Sequence, residues 1–460
     1  MVVVFVLGYL AIALEHPIHI DKAASALLIG AITWTIFALN ADAIAEGTAG
    51  FINYAKEYAL LNEGHHADAL HYVTHELSHH LSEIAEILFF LLGAMTIVEL
   101  IDAHEGFALI TDRINTANKV KLVWILSILT FFLSAALDNL TTAIVMSALL
   151  KKLVKSKEDL WLFAGMVIIA ANAGGAWSPI GDVTTIMLWI GGQVTAANIV
   201  IKLLIPSLVA LIVPLVVLSF TLKGEVERKL GMVERHHLED RTTPGEQKTV
   251  LFLGVGALLF VPIFKTVTHL PPYMGILLGL GILWVVTEIM HRSKNKADKT
   301  KLSVIGVLQK VDTPSVLFFL GILAAVGSLQ SAGLLRIMAQ FLNNTLGNMY
   351  VINIVIGMLS SIVDNVPLVA GAMGMYDLLP EGAAAVAGSA YPVDHSFWEF
   401  LAYCAGTGGS CLIIGSAAGV AVMGIMNIDF LWYMKKISWL ALLGYLAGAF
   451  TFIAMDVFLH

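Results

Sequence analysis

Long apolar runs separated by short polar interruptions set the rhythm of this chain. They fall near residues 1–14, 23–39, 84–101, 121–150, 160–192, 199–222, 248–264, 272–290, 314–332, 350–379, 397–426 and 432–458. Many approach the roughly 20 residues that a helix needs to cross a bilayer. Backbone in lipid must satisfy its own hydrogen bonds, and Leu/Ile/Val/Ala-rich runs punctuated by Gly and Pro do this as helices rather than as barrel strands. The pattern predicts an all-α polytopic membrane protein. The opening Met1 to Leu14 has no basic n-region and reads as a short first helix rather than a signal peptide.

Two runs are too long for one span and are broken in the middle by an acid and an amide. Leu133 to Ile144 contains Asp138-Asn139, and Ser360 to Pro367 contains Asp364-Asn365, 226 residues on. The segments that follow carry glycine-rich interruptions: Asn172 to Gly175 with Gly181 to Thr185, and Gly406 to Ser410 with Gly415-Ser416. Two similar breaks suggest one site built from two halves.

Charge sets the orientation of the halves. Lys151, Lys152, Lys155 and Lys157 mark one cytoplasmic loop, residues 223–248 with Lys223, Arg228, Lys229, Arg235, Arg241 and Lys248 a second, and residues 291–313 a third. Lys119 and Lys121 put the other flank of the Asp138 run on the same side. That run is therefore expected to dip in and return as a re-entrant hairpin. The Asp364 run, almost free of Lys and Arg on both flanks, is expected to enter from outside. The count predicts two inverted repeats, each of about five transmembrane helices plus a re-entrant hairpin, with discontinuous helices at the midplane. Residues 1–222 form the first repeat, 223–247 a cytoplasmic charged linker and 248–460 the second. Phe89 to Gly93 and Phe318 to Gly321 echo one another ahead of the two hairpins. Inverted repeats with broken helices are how many secondary transporters build a substrate site.

Composition agrees with a membrane chain: 58% of the 460 residues are hydrophobic and 13% charged, with mean hydropathy +0.84. The net charge of -8 lies mostly in loops, and neither a nucleic-acid patch nor an acidic tail is present. Cys404 and Cys411 are seven residues apart, about two helical turns, too far to bridge on one helix.

An aspartate near the bilayer centre costs roughly 2.5 to 3.5 kcal/mol and normally faces a cavity or a partner. Asp138, Asp182 and Asp364 sit in or beside backbone breaks, where carbonyls and helix ends are free. Hard cations take carboxylate, amide, hydroxyl and carbonyl oxygens, which Asp138, Asn139, Thr142, Asp364, Asn365, Thr407 and Ser410 supply. Sodium is placed at Asp138, Asn139, Asp364 and Asn365. The bland alternative is that Asn139 and Asn365 merely cap half-helices and the acids pair elsewhere. Burial disfavours a carboxylate's charged form and a bound cation favours it, so proton and cation exclude each other. A site that alternates between the two sides then exchanges one for the other.

These motifs resemble the NhaD-type sodium/proton antiporters, within an ion-transporter superfamily that includes dicarboxylate and arsenite carriers. The resemblance rests on Ala136 to Thr141, Asn172 to Thr185, Ser360 to Pro367 and Gly406 to Gly419, and it covers roughly residue 84 to the end. It implies export of Na+ and Li+ in exchange for H+, favoured at alkaline pH, in a bacterial inner (cytoplasmic) membrane or a plastid envelope, with no cofactor. It further implies a homodimer with an elevator-like transport domain. Asp138, Thr141, Asp182, Ser360, Asp364, Asn365 and Ser410 occupy the motif positions expected to matter for exchange. Carboxylate carriers of the superfamily tend to have Ser-Asn-Thr at these tips, which disfavours an anion substrate here; an anion or metalloid carrier of the same fold is the alternative.

Between Glu63 and Glu86 lie His65, His66, His71, His75, His79 and His80. His75 to His79 fits H-E-x-x-H, a zinc-protease spacing easily met by chance in so histidine-rich a segment. His71, His75 and His79 fall on one face of an expected short interfacial helix. They read as a pH sensor, an adventitious metal binder or a solvated surface. Glu86 and Glu99 are candidate ion-path acids. Trp34, Trp161, Trp189, Trp284, Trp398, Trp432 and Tyr433 are expected at the membrane interfaces, and 382–396 is expected to be an outer loop. A cation channel and an intramembrane protease are the readings from other classes.

Overall fold

The computed structural model describes residues 1–13, 15–61, 68–107, 109, 114, 116–227, 242–386 and 388–459. His65, His66, Arg228, Lys229, Arg235 and Arg241 lie outside them. Among the described residues nine helices are long and apolar enough to cross a membrane: Lys22–Leu39, Ala69–Ala103, Lys119–Leu137, Lys157–Ala176, Ala196–Thr221, Pro244–Thr268, Pro272–Met290, Thr313–Ser331 and Ser438–Leu459. The protein is a mostly helical, multi-pass membrane protein. A two-stranded parallel ladder, Asp377–Leu379 with Ala390–Pro392, departs from the all-α expectation, and its second strand lies inside the 382–396 segment read as a loop.

The chain divides into two compact units, each drawn from both halves of the sequence. One comprises Met1–Phe89, Asp312–Ile352 and Val366–His395; the other comprises Phe90–Val311, Asn353–Asn365 and Ser396–His460. In the first, Thr313–Ser331 lies along Lys22–Leu39. A Cβ on Gly321 would stand 2.4 Å from the Ala26 carbonyl carbon and the Leu27 nitrogen, and one on Gly30 would stand 2.7 Å from the Gly321 oxygen. Only residues without side chains let these backbones touch. Trp34 Nε1 donates to the Ala324 carbonyl across the contact at 2.8 Å.

The second unit is built around two helices buried on every side, as a central helix must be. Lys157–Ala176 is buried from Phe163 onward, and Ser396–Gly408 from Phe397 onward. Lys157–Ala176 packs against Lys119–Leu137, Asn139–Leu153 and Ser396–Gly408, while Ala196–Thr221 packs on Ser438–Leu459. Lys119 N donates to the Gly224 carbonyl at 3.2 Å and Lys155 N to the Glu227 carbonyl at 2.9 Å, so both flanks of the Asp138 run are tied to one short segment.

Local packing at the breaks repeats. Ser134 Oγ donates to the Ala171 carbonyl at 2.6 Å, and Ser360 Oγ, 226 residues on, to the Ala405 carbonyl at 2.8 Å. A Cβ on Gly174 would lie 2.2 Å from the Phe131 oxygen; one on Gly408 would lie 2.1 Å from the Gly357 oxygen. The glycines that interrupt these runs are thus places where a preceding helix presses on backbone.

Several expectations need correction. The histidine segment is no separate interfacial helix: it is the first half of the 35-residue Ala69–Ala103 helix, about 52 Å at 1.5 Å per residue. Trp34, Trp189, Trp398 and Tyr433 are buried in the protein, so they pack its interior rather than facing lipid as anchors. The 432–458 run is interrupted at Ile437, between Phe430–Lys436 and Ser438–Leu459, and Ala417–Met426 meets Phe430–Lys436 at 116° across Asn427, which takes the left-handed conformation. Cys404 and Cys411 are both buried and free. At the ends of Ala69–Ala103 and Pro272–Met290, two buried histidines meet. His104 Nδ1 donates to the Leu100 carbonyl at 2.7 Å, so its Nε2 accepts from His291 Nε2 at 2.7 Å. Glu246 lies 3.7 Å from His291 and 2.9 Å from Lys294.

Candidate functional site

The helix Lys119–Leu137 stops at Asp138, which takes φ 92° and ψ 157°, and Asn139–Leu153 starts at once. The carboxylate caps the new helix, accepting from Thr141 N at 2.7 Å and Thr141 Oγ1 at 2.9 Å. Asp182 caps Val183–Ile190 in the same way, its Oδ1 accepting from Thr184 N at 2.9 Å and Thr184 Oγ1 at 2.8 Å. Helix N-termini favour negative charge, which helps keep carboxylates there in an apolar setting.

Asp182 is where the breaks converge. Asn139 Nδ2 donates to its Oδ2 at 2.6 Å, and Asn365 Nδ2 donates to its Oδ1 at 3.4 Å. The asparagines of both Asp-Asn pairs therefore point at one carboxylate. Asn139 also donates to Asn172 Oδ1 at 3.1 Å, and Asn172 Nδ2 donates to Ser410 Oγ and Ser416 Oγ, each at 2.9 Å. Asp182, Asn139, Asn172, Asn365, Thr407, Ser410 and Ser416 are all at most 5% exposed. The charge of Asp182 acts on Asp138, and that of Asp364 acts on Asp182, so three acids share the region. Among the described residues no lysine, arginine or histidine forms an ion pair with Asp138 or Asp182. Thr142 Oγ1 is buried there without a hydrogen bond. The carboxylate, amide and hydroxyl oxygens gathered here are the ligand types that hard cations take.

A family model described as "Citrate transporter" matches residues 9–394. Sodium/proton antiporter 1 of Arabidopsis thaliana is 45% identical over 455 residues, covering 99% of this chain and 72% of that one; Sodium/proton antiporter 2 of the same plant is 42% identical over the full length of both. The chain belongs to the NhaD-type sodium/proton antiporter family. The Na(+)/H(+) antiporter NhaD of Alkalimonas amylolytica is 29% identical over 447 residues, covering 92% of this chain and 83% of that one.

In this antiporter-family chain, Asp138, Asn139, Thr141, Asp182, Asn365 and Ser410 take part in the network or its caps, while Thr142 is buried beside them. Ser360 and Thr407 are also buried, but their hydroxyls donate to the Ala405 and Tyr403 carbonyls and hold helices together. Asp364 lies in the non-helical step after Met349–Ser360. The remaining candidates lie elsewhere. Glu99 pairs with Lys310 at 3.6 Å, and His75, His79 and Glu86 belong to the first compact unit. Sequence reasoning passed over Asn172, the hub between Asn139 and the two serines, and Ser416, which caps Ala417–Met426 as Asp182 caps its own helix. It also passed over Glu399, 1% exposed and hydrogen-bonded by Asn198 Nδ2. An acid inside Phe397-Trp398-Glu399-Phe400-Leu401 is the signal that found Asp138, and it applies equally here.

Proposed function

We propose that this protein exports Na+ or Li+ in exchange for H+, with both species competing for the acids around Asp182. The observation that carries this reading is the convergence of Asn139 and Asn365 on the Asp182 carboxylate. Asp138, Asp182 and Asp364 supply negative charge, and Thr142, Ser410 and the exposed ends of broken helices supply neutral oxygens. When the cation leaves, a proton takes its place, because neighbouring carboxylates cannot all stay charged in so dry a site.

The two Asp-Asn breaks belong to inverted repeats, 1–222 and 248–460, joined by the linker 223–247. The repeated Ser134 and Ser360 contacts support the repeat. The common tether of Lys119 and Lys155 to Gly224–Glu227 supports a re-entrant Asp138 hairpin. The ion-carrying unit moves as a body in an elevator-type step, and the protein works as a homodimer in the inner membrane of a bacterium or a related envelope. Carboxylate transport, the reading that the family model's description invites, would need a basic group at the site.

Reconstitution in liposomes with a trapped pH dye tests the exchange. Na+ or Li+ should drive a pH change that citrate does not, and Asp138→Asn, Asp182→Asn and Asp364→Asn should each abolish it. Variants that exchange as the wild type does, or a citrate-driven signal, would overturn the reading.

A further inference from the structure

The polar start of Ala69–Ala103 carries a group of side chains that exchange at Asp182 does not use. His79 and Glu83 are four residues apart and His80 and Glu83 three, spacings that bring side chains together on a helix. His79 Nδ1 lies 3.8 Å from Glu83 Oε1, and His80 Nδ1 lies 3.3 Å from Glu83 Oε2. One donor atom from each of the three lies within 4.8 Å of the others. Ligands of a tetrahedral ion bound at 2.0–2.1 Å stand about 3.4 Å apart, so small side-chain rotations close the set.

Hydrogen counting sharpens the case. His80 is 8% exposed, with Nε2 at 3.1 Å from Ser331 Oγ, and Ser331 donates its single hydroxyl hydrogen to Glu76 Oε2 at 2.9 Å. His80 Nε2 must then be the donor to Ser331, which leaves the lone pair of the neutral ring on Nδ1. That lone pair faces a carboxylate oxygen. In the metal-free chain a proton on Nδ1 can bridge these two atoms 3.3 Å apart, and its position is the one a metal ion would take on binding. The relay Glu76–Ser331–His80 is also the kind of outer support that fixes the ring and raises the basicity of a metal-bound histidine.

We propose that His79, His80 and Glu83 form a site for a divalent transition-metal ion of the zinc class, oriented by Ser331 and Glu76. Two imidazole nitrogens and one carboxylate suit Zn2+ and its neighbours, whereas Na+, Mg2+ and Ca2+ prefer oxygen alone. Water completes the coordination, since His79 and Glu83 are each 59% exposed. The H-E-x-x-H spacing is thereby used differently from a protease: His79 is a ligand, Glu76 is an outer-shell acceptor and His75 has no part.

The test is a Co2+ titration of the full-length, untagged protein in detergent, read by visible absorption and reversed by Zn2+. One equivalent should develop the band of a low-coordinate cobalt site. His79→Asn and Glu83→Gln should weaken binding at least about tenfold, Ser331→Ala by about 10- to 100-fold, and His75→Asn should leave it unchanged. A missing band, equal binding by all variants, or loss of binding in His75→Asn would overturn the proposal. Metal-free melting curves check each fold. Should Glu83→Gln or Ser331→Ala fail to fold, the exposed pair His79→Asn and His75→Asn still decides. Binding is read without transport, so failure of the exchange reading leaves this result standing.

Discussion

Asp138 has a backbone conformation that few residues accept. At φ 92° and ψ 157° an L residue is strained, and the bonds that the Asp138 carboxylate accepts from Thr141 hold it there. Asn therefore separates chemistry from folding at this position. Asp138→Asn should melt within a few degrees of the wild type yet show no Na+-driven proton movement. Asp138→Ala loses the Thr141 cap and keeps the strain, which costs about 1 to 3 kcal/mol, so it should lose thermal stability as well. Thr142 offers a complementary check. Its hydroxyl is buried without a partner, so Thr142→Val should keep or raise the melting temperature while raising the Na+ concentration for half-maximal exchange. Unchanged Na+ dependence would remove Thr142 from the ion's ligands. At this scale the acids were legible because a charge in an apolar run needs a reason. Asn172 and Ser416 were not, because a neutral amide or hydroxyl at a helix break is explained equally well by capping.

Helices report on a different kind of legibility. Hydropathy located the spans but not their true ends, and it divided Ala69–Ala103 because histidines lower the mean without breaking the backbone. The Phe318 to Gly321 echo did have a packing meaning, since Gly321 lets Thr313–Ser331 meet Lys22–Leu39 backbone to backbone. Gly321→Val should destabilise the protein by about 1 to 3 kcal/mol or more, read as a lower melting temperature. The His104–His291 contact at two helix ends adds a pH dependence. Burial, reinforced by the neighbouring His291, pushes the His104 imidazole down to about 4, and burial with Lys294 nearby lowers His291 against the pull of Glu246. An unfolded histidine titrates near about 6.5, so the unfolded chain binds more protons between these values. The contact's stability is fully present above about pH 6.5 and is lost as pH falls towards 4. Melting temperature should drop across that window, and the drop should shrink in His104→Gln.

For the whole molecule, an ion that binds only the folded site must stabilise the fold. At ten times its dissociation constant, Na+ should add about 1.4 kcal/mol. Thermal melts in NaCl against choline chloride should show the shift, and Asp182→Asn should remove it. The membrane class and the helical fold were legible from hydropathy because lipid leaves the backbone so few options. The division into two units was not, because each is assembled from distant parts of the chain, and neither was the Asp377–Leu379 ladder, whose strands are too short to leave a period. The two cysteines have a practical consequence. Cys404 and Cys411 lie inside the protein, so water-soluble maleimides should leave the native chain unlabelled. Single cysteines placed at exposed positions on each loop can then report, by labelling from one side of sealed vesicles, which face of the membrane every loop occupies, without first removing the natural thiols.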